Sequence, residues 1–99
     1  METERQKLMV TAIVLINVQR PKLKQVTEDV LNIKGVTEVY TVAGEYDLAA
    51  VVRVSDSKQL SEIIVDKMPH QIDGITHTKT LIALDVESKI DLAKAFKVK

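Results

Sequence analysis

Gly44, Glu45, Tyr46 and Asp47 concentrate more chemistry than any other stretch of this chain. Two carboxylates, a phenol and a glycine that frees the backbone fall on consecutive positions. At a hairpin tip, exposed amides can donate to a carboxylate while an acidic side chain accepts from an ammonium. The group could therefore hold a small zwitterion. On these residues alone the plainer reading is an ordinary polar tip, with Asp47 capping the turn and Tyr46 bracing it. Other chemistry is sparse. His70 and His77 are the only histidines, and their spacing fits no helical metal motif. There is no cysteine, no serine in a Gly-x-Ser-x-Gly setting, and no phosphate-cradling loop among the three scattered glycines. We expect no catalytic residue, no metal and no cofactor. A small enzyme would need His77 or Tyr46 in a cleft.

The elements that position this tip follow from hydrophobic spacing and turn residues. A first strand is expected from about Leu8 to Val18. Arg20-Pro21 then starts a helix, since proline loses nothing in a first turn. Leu23, Val26, Val30, Leu31 and Ile33 follow at helical spacing, and Gly35 suits the C-terminal cap. Strands are predicted over about Val36 to Ala43 and Tyr46 to Val54, around a tight reversal at Gly44. Asp56, with Gln59 three residues on, makes a capping-box pattern for a second helix. Its apolar stripe is Leu60, Ile63, Ile64 and Met68. A fourth strand covers about Thr76 to Val86. Lys34-Gly35-Val36-Thr37 is echoed by Asp73-Gly74-Ile75-Thr76, both at a helix exit into a strand.

Two βαβ halves joined by a hairpin give an α+β, ferredoxin-like βαββαβ fold. Its sheet is four-stranded and antiparallel, with the first and third strands central and both helices on one face. The expected organisation is an N-terminal arm at residues 1–7, the domain at 8–87 and a helical tail at 88–99. An antiparallel sheet with one solvated face should alternate apolar and polar residues. The central strands do not. The helix-free face carries Ile13, Leu15, Val51 and Leu81, a larger apolar patch than a monomer usually leaves in water. We expect a second copy to cover it, giving a homodimer with these residues at the interface; the alternative is that the C-terminal tail folds back over the patch.

Composition narrows the partners. The chain has 99 residues, 45% of them hydrophobic and 3% aromatic, which allows one small core and offers no stacking platform for single-stranded nucleic acid. Basic and acidic residues balance at 14 each. That balance disfavours direct nucleic-acid binding and attachment to an anionic membrane. The mixed-charge N-terminus is unlike a signal peptide, and no apolar run is long enough to span a bilayer. The expected location is cytoplasmic.

The hairpin Gly44-Glu45-Tyr46-Asp47-Leu48 and the threonine-rich strand Thr78-Lys79-Thr80-Leu81-Ile82 resemble the effector-binding domain of the Lrp/AsnC (feast/famine) transcription regulators, the RAM domain. The resemblance covers about Val10 to Val86. It departs at the second helix exit, where His70-Gln71-Ile72-Asp73 separates Pro69 from Gly74. The resemblance implies an amino-acid effector, with Gly44, Glu45, Tyr46, Asp47, Thr78 and Thr80 as ligand-binding residues. It also implies dimers that join into a cyclic octamer or decamer, and possible association with full-length Lrp/AsnC-type regulators. Only Met1 to Lys7 precede the first strand, so a stand-alone domain without the helix-turn-helix module is expected. A ligand-independent assembly module for DNA-binding relatives is the other reading.

Overall fold

Strand β1, Val10–Val18, is built largely from β-branched residues, which favour the pleated conformation. The structure, a computed structural model, describes residues 9–96. Leu8 and the arm at residues 1–7 lie outside the described residues. Pro21 occupies a short 3-10 turn, Arg20–Lys22, that leads into helix α1, Leu23–Leu31. Strands β2, Val36–Thr41, and β3, Leu48–Val54, follow. Helix α2 runs through an α-helical start, Ser57–Ser61, a π-helical middle, Glu62–Lys67, and an α-helical end, Met68–Gln71. Strand β4 is Ile75–Ile82 and a short helix α3 is Leu92–Ala95.

The sheet order is β2-β3-β1-β4, and every pairing is antiparallel. This is the α+β, ferredoxin-like arrangement the strand pattern predicts. One face of the sheet carries the core. Ala12, Val14 and Ile16 of β1 pack beside Leu48, Ala50 and Val52 of β3, under Val26 and Val30 of α1 and Leu60, Ile63 and Met68 of α2. Gly35 sets the spacing at one helix exit. Its φ is +104°, and a Cβ there would lie 2.8 Å from Val54 Cγ1 and 2.9 Å from Ile63 Cδ1. Only glycine lets the turn approach so closely. Gly74 takes the matching place at the second exit, so the sequence echo is a structural one.

Neither α1 nor α2 covers the opposite face; Phe96, at the end of α3, lies over Arg53 at one end of it, beside the buried Thr11. Register places Ile13 beside both Val51 and Leu81, with Leu15 next along β1 opposite Ala49 and Lys79. Ile13 is 39% exposed and Leu81 46%. The apolar patch expected from the broken alternation is therefore present on this chain.

The elements differ from the sequence expectation at their ends. β2 stops at Thr41 rather than Ala43, and β3 starts at Leu48 rather than Tyr46. Asp47 causes this, because its N–H donates to Ile16 O of β1 at 3.0 Å. The chain is thus drawn toward β1, and residues 42–47 form a wider connection than a tight reversal. β4 ends at Ile82 rather than Val86, where its pairing with β1 runs out at Ala12. The capping box is displaced by one residue. Asp56 Oδ1 accepts from Gln59 N at 2.8 Å, but Gln59 Oε1 accepts from Ser55 N at 3.3 Å. The π-helical stretch is not expected from the sequence; in it, Met68 N–H donates five residues back, to Ile63 O.

Candidate functional site

The tip of the β2-β3 hairpin is tied to the centre of the sheet. Asp47 Oδ2 accepts from the backbone N–H of Val18 at 3.0 Å, a half-buried bond across 29 positions of sequence. Val42 N–H donates to Asp47 O at 3.0 Å and closes the turn. Asp47 is held by three hydrogen bonds through its N–H, its carbonyl and one carboxylate oxygen. Oδ1 makes none among the described residues. Pairing of β1 with β3 ends at Ile16 and Leu48, so the Val18 N–H on that side lies past the ladder and needs another acceptor.

Tyr46 turns to the helix-free side. Its ring stacks on His77 with centroids 6.3 Å apart and planes at 22°. His77 pairs in register with Asn17, which alternates with the buried Ile16 and Val18. Gly44 and Glu45 are exposed at the apex, where Gly44 has φ +131° and a Cβ added to it would meet nothing within 4 Å. Among the described residues, the N–H groups of Ala43, Gly44, Glu45 and Tyr46 donate to no backbone oxygen. The tip thus offers free donors beside a fixed carboxylate, with an aromatic pair alongside.

Thr78 and Thr80 are placed elsewhere. They pair with Ile16 and Val14, both buried under the helices, so their side chains share the helix side of the sheet. Tyr46 and His77 are on the other side. The structure brings together Gly44, Glu45, Tyr46 and Asp47 but does not bring the two threonines to them. It adds His77 and Asn17, which sequence reasoning does not assign to a ligand. The period-two alternation of β4 already carries that signal.

A second polar group lies at the far end of β2 and β3. Arg53 Nη1 donates to Thr37 Oγ1 at 2.6 Å and pairs with the Glu38 carboxylate. Tyr40 Oη donates to Glu38 Oε2 at 2.5 Å. The Tyr40 hydroxyl first, and then Arg53, hold the Glu38 carboxyl below its usual range. The same bond to Glu38 raises the Tyr40 phenol above its ordinary value. Phe96 lies 4.2 Å beneath the Arg53 guanidinium, a cation–π contact. Among the described residues, no group of three or more His, Cys, Asp or Glu is placed to hold a metal, and no helix is long and apolar enough to cross a membrane.

The chain matches known proteins over most of its length. Residues 11–90 fit the family model of the Lrp/AsnC ligand binding domain. An uncharacterized HTH-type transcriptional regulator of Pyrococcus abyssi is 39% identical over 62 residues, covering 63% of this chain and 41% of the relative. The chain spans about half or less of the length of the curated relatives it matches. A crystal structure from Thermus thermophilus superposes with a TM-score of 0.73 at 32% identity, over 81% of this chain and 99% of that one. The fold is also that of a feast or famine regulatory protein from M. tuberculosis complexed with L-methionine, with a TM-score of 0.65, 23% identity and coverage of 81% and 54%. With the family model matched across β1 to β4 and beyond, the chain belongs to the Lrp/AsnC family and contains its ligand-binding domain.

Proposed function

We propose that this domain binds a free amino acid at the hairpin tip and has a regulatory rather than a catalytic role. One observation carries the reading: the N–H groups of residues 43–46 lack backbone acceptors beside the fixed carboxylate of Asp47. The amides suit an α-carboxylate and Asp47 Oδ1 suits an α-ammonium. Gly44, Glu45, Tyr46 and Asp47 form the contact set, and His77 extends it. Thr78 and Thr80, on the helix side, are left out. The L-methionine complex of the M. tuberculosis relative supports this ligand class.

The working form of the domain is a homodimer through the helix-free face, assembling further into a ring that can include full-length Lrp/AsnC-type regulators. Ile13, Leu15, Val51 and Leu81 supply the apolar contact, and each gains about 1.5–3 kcal/mol on full burial. Calorimetry of the chain against the twenty amino acids tests the ligand. Saturable heat with at least one is expected, and none with any of them refutes the reading. Binding to a DNA-binding relative with no amino-acid response would favour the pure assembly module instead.

A further inference from the structure

A cavity of about 410 Å³ opens at the end of the sheet away from the hairpin, within the size range of small-molecule sites. Gly35 and Thr37 form one wall, the π-helical stretch of α2 another, and Phe96 a third. Three cations line it, Lys34, Arg53 and Lys67, against the single carboxylate of Glu62. Arg53 is already paired with Glu38, but its Nε–H is buried with no acceptor. Lys34 and Lys67 make no ion pair among the described residues. Val36, Val54, Ile63 and Phe96 give the same cavity an apolar lining. Interruptions of an α-helix by π turns occur often at binding sites, and this one supplies Glu62, Ile63 and Lys67 to the wall.

We infer that this cavity is a second small-molecule site, which takes a carboxylate carried on a short apolar body. The lysines and Arg53 face the anion, and Phe96 with Ile63 covers the apolar part. Two sources share this chemistry: an apolar amino acid and the α-keto acid related to it. Glu62 is the one group that distinguishes them, since it favours an ammonium and opposes a second negative charge. The inference does not depend on the hairpin site.

The test is amide NMR of the whole chain, titrated separately with α-ketoisocaproate and L-leucine at millimolar concentration. Saturable shifts at Gly35, Thr37 and Ile63 with either compound are expected, and the compound that saturates identifies the source. Lys34→Gln combined with Lys67→Gln should weaken that binding by about tenfold or more, since each removes a charged hydrogen-bond partner. Both lysines lie outside the core, so the fold should persist, and the unperturbed core signals will show it. Three results overturn the inference: no saturation with either compound, full affinity in the double variant, or shifts confined to Gly44 and its neighbours. The last would leave the hairpin reading intact, because the two sites report through different amides.

Discussion

Replacing Asp47 separates its two duties, because alanine and asparagine remove different parts of the side chain. Alanine takes away the acceptor for Val18 N–H, which lies 3.0 Å from Oδ2. A hydrogen bond to a charged group contributes about 1.5–3 kcal/mol, and the half-exposed setting favours the lower end. For a domain of 99 residues, about 1.5 kcal/mol lowers Tm by roughly 6–12 °C. Asparagine keeps an acceptor oxygen and loses only the charge. Its cost should be about 0.5–1 kcal/mol, well below that of alanine. Ligand affinity should order differently. An ammonium partner needs the carboxylate, so Asp47→Asn should weaken amino-acid binding by about tenfold or more while the fold is nearly unaffected. Thermal unfolding at fixed protein concentration and calorimetry on the same samples give both numbers. If Asp47→Ala melts with the parent, the tie to Val18 does not hold the hairpin. If Asp47→Asn binds as tightly as the parent, the charge does not touch the ligand.

Other perturbations probe the rest of the molecule. Glu38 ionises more readily in the fold than in the unfolded chain, so its contribution is present above the ordinary glutamate range and fades as pH falls through its lowered value. Urea titrations across acidic pH should show this loss, and Glu38→Gln should flatten it; an equal acid slope in the variant refutes the assignment. Ile13→Lys should convert the dimer to a folded monomer in sedimentation, and a dimer of unchanged affinity would place the interface elsewhere. Gly35→Ala should destabilise by about 2–4 kcal/mol, combining positive-φ strain with crowding. Gly44→Ala, with open space around it, should cost only the strain, about 1–2 kcal/mol. Equal denaturant midpoints for the two would contradict the close approach at Gly35.

Much of this architecture is legible in local pattern. The alternation of β1 assigns Ala12, Val14 and Ile16 to the core and Ile13 and Leu15 to the bare face, as observed. Pro21, Gly35 and Asp56 mark element boundaries through backbone chemistry that needs no partner. What local pattern misses depends on distant partners. Asp47 turns from β2 toward β1 because Val18 needs an acceptor, and nothing near Asp47 in sequence announces that. The stack of Tyr46 on His77 exists only once the hairpin and β4 are both docked. The π-helical middle of α2 has no spacing signature, since Leu60, Ile63 and Met68 also suit a regular stripe. The family resemblance points to the threonines of β4, whereas strand parity puts His77 on Tyr46's side.

β1 works as a shared beam. Its middle bears Ile13 and Leu15, and its end is clasped at Val18 by a carboxylate from the hairpin. In the proposed assembly, a ligand that draws Asp47 away from Val18 would act on the same strand that meets a neighbouring copy, so occupancy and association would be coupled through β1. The strength of the clasp caps the exchange: about 1.5 kcal/mol allows roughly a tenfold change in one equilibrium for full occupation of the other, in either direction.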